Sequence, residues 1–224
     1  FFQLTGNVLS QFAFGDVTQE AFMVNLVSVF SSAFTILFLF WTITALGRKF
    51  AASYGELNDA RIISILASGA VGALAYTFSD SFWFSAEEGE VYAMSSFFTA
   101  VAFWAILKWE HEVERSPKAS RWLIFIAYMV GLSIGVHILV FLTIPAIVMI
   151  YFFKKDPEIN RRKFIIYNII AVAVLGIVFA AIIPLILNMF GKLEILFVNN
   201  FGLPFNSGTI FTLLLLITGA TYGL

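Results

Sequence analysis

Residues Trp122–Phe153 decide the fold: WLIFIAYMVGLSIGVHILVFLTIPAIVMIYFF contains no Asp, Glu, Lys or Arg and is long enough to cross a lipid bilayer. Lys and Arg cluster at both of its ends, within residues 108–121 and 154–163. Because basic residues concentrate on the cytoplasmic side of a membrane, both ends are expected on that side. One straight helix would place them on opposite sides. We therefore predict a hairpin of two short membrane helices, 121–135 and 137–153.

The predicted hairpin bends near Gly131, Gly135 and His137. Each arm has about 15 residues and spans roughly 22 Å, somewhat less than the hydrocarbon thickness. Irregular backbone at that depth persists only where protein or a water-filled cavity covers it. One long tilted helix is the alternative, and it requires that one basic loop be assigned to the wrong side.

The composition places the whole chain in a membrane. Of its 224 residues, 60% are hydrophobic and 12% are charged, which is more apolar surface than a soluble domain of this length can bury. We predict an all-α fold, a polytopic transmembrane helical bundle with about seven membrane helices, forming one transmembrane domain over residues 1–224. The absence of cysteine excludes disulfides and thiolate metal sites, and two histidines are too few for a His-rich metal site.

Uncharged runs give the other helices of this bundle. Membrane helices are predicted at 22–47, 61–79, 85–109, 164–190 and 208–224, with an interfacial helix at 1–14. The chain starts with Phe rather than Met, and its last apolar run stops abruptly. We therefore expect an internal fragment of a longer protein.

The charges orient the bundle. Of the 13 Lys and Arg residues, all but Lys192 lie in three loops, at 48–61, 108–121 and 154–163. These loops are predicted to be cytoplasmic. The Ser79–Glu90 loop contains acids without Lys or Arg, so it is predicted on the outer side together with the N-terminal residues.

The outer loop, SDSFWFSAEEGEVYAMSS (79–96), gathers four carboxylates without a cation. Ser85 and Glu88 have the spacing of a capping box, which would start a helix at Ser85. On that helix Glu87 and Glu90 would project from one side at the head-group level. Two such carboxylates can hold a divalent cation, orient a substrate or act as an acid/base pair. The alternative to a binding or catalytic role is that both carboxylates belong to an exposed, solvated helix end.

His137 is the one histidine of the hairpin run. At the predicted tip it would lie at the outer face on the side of Glu90, and an ionisable residue facing an intramembrane cavity is a functional candidate. A packed, hydrogen-bonded histidine is the alternative. The chain has no Walker, GxGxxG, GxSxG or HExxH motif, and its basic loops lack the aromatic platform of a nucleic-acid surface.

Three segments together resemble a known family: SDSFWFSAEEGEVYAMSSFFTAVAFWAILKWE (79–110), GLSIGVHILVFLTIPAIVMIYFF (131–153) and FGDVTQEAFMVNLVSVFSSAFTILFLFWTI (14–43). They resemble the bacterial domain-of-unknown-function 2723 family (DUF2723), whose multi-span proteins are similar to protein O-mannosyltransferases and other GT-C glycosyltransferases. The resemblance implies that the helical bundle is GT-C-like and that the chain is a glycosyltransferase of the bacterial cytoplasmic membrane with its site on the outer side.

The resemblance also implies the chemistry. A sugar would move from a polyprenyl-phosphate donor to an acceptor hydroxyl of a protein or glycan, with or without a divalent metal ion. Glu90, with Glu87 beside it, would be the second acidic position of the family, giving two catalytic residues and candidate metal ligands. His137 would lie at the outer tip of the short-helix pair and, with Asp80 and Trp83, is a candidate substrate contact. The first acidic motif, which supplies the base, is expected upstream of Phe1.

Two other functions stay open from the sequence. A transporter or flippase for a lipid or small solute also uses broken helices and an intramembrane histidine, although it should carry its charges near the midplane and show repeated halves. A non-catalytic membrane scaffold would make Glu90 dispensable. The lipid bilayer is a partner in each case, and nucleic acid is not.

Overall fold

The computed structural model describes the backbone of residues 1–222 and the side chains of residues 1–219. These residues form helices joined by turns and loops, without a strand. Five helices among them are long and apolar enough to cross a membrane, and two shorter apolar helices accompany them. The predicted all-α polytopic bundle is therefore confirmed, and the chain is an integral membrane protein. Of the predicted last helix, 208–224, residues 223 and 224 lie outside the described residues.

The described residues contain ten α-helices. In chain order they are α1 (Phe2–Ser10), α2 (Val17–Ala52), α3 (Asp59–Thr77), α4 (Asp80–Glu87), α5 (Val91–Glu112), α6 (Ser120–Ile134), α7 (Thr143–Lys155), α8 (Arg161–Ile177), α9 (Ile183–Ile195) and α10 (Ser207–Tyr222). A 3₁₀ segment, Ile138–Leu142, leads into α7, and a second, Gln11–Ala13, follows α1. Two π-helical segments, Val178–Ile182 and Leu196–Asn200, follow α8 and α9.

Two of the predicted ranges, 85–109 and 22–47, begin at other residues than the observed helices do. The predicted helix 85–109 is wrong at its start, because α4 ends at Glu87 and α5 begins at Val91. The predicted helix 22–47 is longer in the structure, because Asp16 precedes Val17 as an N-cap and accepts a hydrogen bond from the Thr18 nitrogen at 2.9 Å. Capping groups outside an apolar run therefore extend a membrane helix beyond it.

The predicted interfacial helix 1–14 is α1 followed by the 3₁₀ turn. Phe2 is buried against the bundle, whereas Leu4, Val8 and Phe12 are exposed. A helix that lies in the membrane interface needs an exposed apolar stripe, and this helix has one. Its interfacial position stays a prediction.

The chain forms two compact units, Phe1–Asn168 and Ile169–Leu224, where the sequence predicts a single transmembrane domain. In the first unit α2 is the central helix and packs against α1, α3, α4 and α5. Small residues permit the closest approach: a Cβ added to Gly69 would lie 2.6 Å from the methyl group of Thr44, and one added to Gly72 would lie 2.8 Å from Ile43 Cδ1. The α2–α3 contact therefore depends on glycine at Gly69, whereas Ile43 Cδ1, the end of a flexible side chain, can turn away from a side chain at Gly72.

The run 122–153 forms a helical hairpin. Arg121, beside the first residue of α6, bonds to Glu112 at 3.0 Å. Lys154, near the end of α7, bonds to Glu114 at 2.9 Å. Since both carboxylates flank the C-terminus of α5, the two arms of the hairpin start and finish at the same end of the bundle, as the charges predict.

The basic loops meet at this end. Lys49 at the end of α2 pairs with Glu110 of α5. Asp156 accepts hydrogen bonds from Lys163 at 3.1 Å and from the Tyr167 hydroxyl at 2.6 Å. These bonds, the lysine's first, lower the pKa of the Asp156 carboxyl from its usual value. We call this part of the first unit, which carries Lys49, Arg121, Lys154 and Lys163, the basic end.

The second unit contains the part of a long apolar helix from Ile169 onward, followed by α10. The predicted helix 164–190 is longer in the structure, since α8, α9 and their π-helical segments run continuously from Arg161 to Asn200. Glu194 accepts hydrogen bonds from the backbone nitrogens of Asn206 at 2.6 Å and Thr209 at 2.9 Å. A carboxylate thus caps the N-terminus of α10, where the helix dipole favours negative charge.

Candidate functional site

Glu90 lies at the end of the first unit opposite to the basic end. Its backbone is extended, with φ −119° and ψ 167°, and it is the N-cap residue of α5. The hydroxyl of Ser28, fully buried on α2, donates to the Glu90 carbonyl oxygen at 3.4 Å. The backbone of Glu90 is therefore held against α2, while its side chain is exposed.

The capping box predicted from Ser85 and Glu88 is wrong. Ser85 lies inside α4, and its hydroxyl donates to the Ser81 carbonyl at 2.9 Å. Glu88 follows α4 in an extended conformation, with φ −94° and ψ 138°. The cause is a tertiary contact, because Phe82 is buried against Tyr76 with ring centroids 4.5 Å apart and so holds residues 80–87 in a separate helix.

The sequence predicts that Glu87 and Glu90 share one face of a helix. In the structure they do not. Glu87 ends α4 and Glu90 precedes α5, with a tight turn between them in which the Glu90 nitrogen donates to the Glu88 carbonyl at 2.8 Å. Gly89 brings this turn against α2, since an added Cβ would lie 2.7 Å from Asn25 Oδ1. We call residues 87–90 the acidic turn. Both side chains are exposed on it, close in sequence but on different elements.

His137 lies beside the first turn of α5. Its ring centroid is 5.3 Å from that of Tyr92, two residues after Glu90. The His137 Nδ1 accepts a hydrogen bond from the Leu139 nitrogen at 3.2 Å and caps the 3₁₀ segment. Because Nδ1 acts as the acceptor, the ring proton lies on Nε2, which remains a hydrogen-bond donor. The hairpin tip and the acidic turn therefore lie at the same end of the bundle.

A buried apolar cluster supports this end. Val140 of the 3₁₀ segment is fully buried, and Phe98 of α5 is nearly so. The cluster joins α1, α2, α5 and the hairpin, and its members are Phe2, Val27, Met94, Phe98 and Val140. Close packing of side chains from four elements restricts movement between the acidic turn and the hairpin tip.

Asp80 and Trp83 lie on α4. Asp80 is the first residue of that helix and is exposed, and Trp83 is 46% exposed and stacks on Phe78 with ring centroids 6.0 Å apart. Within residues 1–219 neither side chain has a hydrogen bond or ring contact with Glu90 or His137. Their predicted contact with substrate stays a prediction.

A metal site at the acidic turn also stays a prediction. The described residues contain no group of three or more His, Asp and Glu side chains placed to hold a metal ion. Glu87 and Glu90 would supply two carboxylates. A hard divalent cation such as Mg²⁺ commonly takes one or two carboxylates and completes its shell with water and substrate phosphate oxygens, so the donor set suits this class of ion.

Sequence reasoning missed three residues of this end: Asn25, Ser28 and Tyr92. Asn25 is the only amide within the apolar run Phe22–Gly47, and that isolation was a usable signal. Ser28 is one of several serines on α2, and its bond to Glu90 depends on a tertiary contact. Tyr92 had no distinguishing pattern, because its importance comes from the position of the hairpin tip.

One comparison with known proteins carries a match. The sequence model described as the protein O-mannosyl-transferase TMEM260 N-terminal domain matches residues 1–160, a range that includes α1–α7 and the whole acidic turn. No curated protein and no solved structure matches the chain. The expected O-mannosyltransferase-like character is thereby confirmed, under this description rather than the DUF2723 name. Because the match covers well over half of its residues, this chain belongs to the family of the protein O-mannosyl-transferase TMEM260 N-terminal domain.

Proposed function

We propose that this chain is the membrane domain of a glycosyltransferase that moves a sugar from a polyprenyl-phosphate donor to a hydroxyl of a protein or glycan. Mannose is the sugar that the family description favours. The observation that carries the proposal is the family match over residues 1–160, which are the residues that bring Glu90 and His137 to one end of the bundle.

The reaction requires three events at this end. The acceptor hydroxyl oxygen attacks the anomeric carbon, the bond from that carbon to the phosphate oxygen breaks, and the hydroxyl proton passes to a carboxylate. The electron pair of the broken bond remains on the lipid phosphate. We assign to Glu90 the role of orienting the sugar or the acceptor hydroxyl.

The departing phosphate needs hydrogen-bond donors or a cation. The Nε2–H of His137 is suited to donate to a phosphate oxygen, because Nδ1 is already used by the Leu139 nitrogen. A divalent metal at Glu87 and Glu90 would, when bound, neutralise further phosphate charge.

The proposal places the acidic turn on the outer side of a bacterial cytoplasmic membrane. Its support is the separation of charge: paired and unpaired cations gather at the basic end, and the acidic turn lies at the other end without a cation. Glu90 would then face the compartment in which the acceptor is glycosylated.

The direct test uses the full-length protein in membrane vesicles with polyprenyl-phosphate mannose labelled in the sugar. A glycosyltransferase moves the label to the acceptor and releases unlabelled polyprenyl phosphate. A flippase carries the labelled lipid across the membrane with its sugar still attached. Label that stays on the lipid, with or without movement between leaflets, contradicts the proposal.

A further inference from the structure

A second concave site lies at the basic end, far along α2 from the acidic turn. Here α2 packs against both α3 and α5, and a groove of about 620 Å³ remains between them. Its lining includes Trp41, Arg48, Leu66, Trp104 and Lys108. No Asp or Glu lines it in the described part of the chain.

The two cations of the groove differ from their neighbours. Lys49, Arg121, Lys154 and Lys163 are each paired with a carboxylate. Within residues 1–219, neither Arg48 nor Lys108 has an ion-paired or hydrogen-bonded carboxylate, and Lys108 lies over the Trp104 ring at 5.3 Å. Glu112, one turn after Lys108, is bonded to Arg121. Two positive charges therefore remain available to a ligand.

The rest of the groove is apolar and exposed. Trp41, Ile62 and Leu66 lie on membrane-spanning helices, and each is exposed by more than a third of its surface. Trp41 precedes Arg48 by two helical turns, which places it roughly 10 Å deeper toward the bilayer centre. Tryptophan in this position is typical of the membrane interface. The groove therefore offers cations at the head-group level and an apolar wall below them.

We propose that this groove binds an anionic membrane phospholipid, with its phosphate between Arg48 and Lys108 and an acyl chain along Trp41 and Leu66. A free phosphate ion would use the cations and leave the apolar wall uncovered. A zwitterionic lipid would bring its own cation toward Arg48 and Lys108. Only an anionic lipid matches both the cations and the apolar wall of the groove. Basic pockets between membrane helices are known to bind anionic lipid head groups. The proposal does not depend on the sugar-transfer function.

The experiment measures lipid binding to the purified full-length protein in neutral detergent, by native mass spectrometry and by thermal unfolding. Phosphatidylglycerol is titrated against phosphatidylcholine with the same acyl chains, and inorganic phosphate forms a third series. The groove variant is Arg48→Gln with Lys108→Gln. The matched control is Lys118→Gln with Lys155→Gln, which removes two exposed cations of the same end that do not line the groove.

The proposal predicts tighter binding of phosphatidylglycerol than of phosphatidylcholine, and a loss of roughly tenfold or more in the groove variant, with the control within about twofold of the wild type. Leu66→Ala, a truncation at an exposed position, should weaken phosphatidylglycerol binding and leave phosphate binding unchanged. Equal losses in the two double variants, equal binding of the two lipids, or saturation by inorganic phosphate alone would each overturn it.

Discussion

Replacement of Gly89 by alanine tests whether the acidic turn is fixed by its contact with α2. The added Cβ would lie 2.7 Å from Asn25 Oδ1 and 3.4 Å from Val24 Cγ1. The first distance is well inside van der Waals contact, so Asn25 or the turn must move. Overpacking in a close-packed core costs about 1–3 kcal/mol, and the cost here lies at the low end of that range because Asn25 is half-buried and its terminal amide can turn.

An opposing effect reduces that cost. The φ of Gly89 is not positive, so alanine is not strained there, and a Gly→Ala change at such a position lowers the entropy of the unfolded chain, worth about 0.4–1 kcal/mol. We therefore expect Gly89→Ala to lower the free energy of unfolding by up to about 1 kcal/mol. The assay is equilibrium unfolding in mixed detergent micelles.

A double-mutant cycle with Asn25→Ala makes the test specific. Once Asn25 is truncated, the clash is gone, and Gly89→Ala should become neutral or slightly stabilising. Gly131→Ala is the control, because an added Cβ there has no atom within 4 Å. If Gly89→Ala proves as harmless as Gly131→Ala, or if its effect is unchanged by Asn25→Ala, the docking of the turn on α2 is refuted.

Three further predictions concern other parts of the molecule. His137→Asn should keep a cap on the 3₁₀ segment, but its shorter side chain has no N–H at the position of Nε2, so that single-turnover transfer falls about 10²-fold while stability changes little; His137→Ala should lose both the cap and the donor. Asp156→Asn should lower thermal stability at neutral pH; because bonding to Lys163 lowers the pKa of Asp156, the difference from wild type should be constant above about pH 4 and vanish as the pH falls through that lowered pKa. A cysteine at Asp80 should be labelled by an impermeant reagent only from the outer side, and one at Lys118 only from the cytoplasmic side; the reverse pattern would contradict the orientation.

The hairpin could be predicted from the sequence because charge placement is a property of the chain itself. Basic residues before Trp122 and after Phe153 require both ends of that run on one side, whatever the packing. The structure adds the bonds that join these ends, from Arg121 to Glu112 and from Lys154 to Glu114. The membrane character followed in the same way, since composition alone sets how much surface must meet lipid.

The break in the acidic turn could not be predicted, because contacts between different helices determine it. A local capping pattern at Ser85 and Glu88 favours one long helix. The burial of Phe82 against Tyr76 and the close approach of Gly89 to Asn25 favour two helices instead, and these tertiary contacts prevail. The break also changes the candidate site, because Glu90 becomes the N-cap residue of α5 instead of lying on the side of a helix.

The most direct test of the central claim compares Glu90→Gln with Glu88→Gln in the full-length protein. Both are exposed glutamates of one turn, and each change removes one charge. With polyprenyl-phosphate mannose as donor, Glu90→Gln should reduce the rate of sugar transfer by about 10²-fold or more, and Glu88→Gln should stay within about threefold of the wild type. Full transfer by Glu90→Gln, or an equal loss in both variants, would contradict the assignment of Glu90 to the reaction.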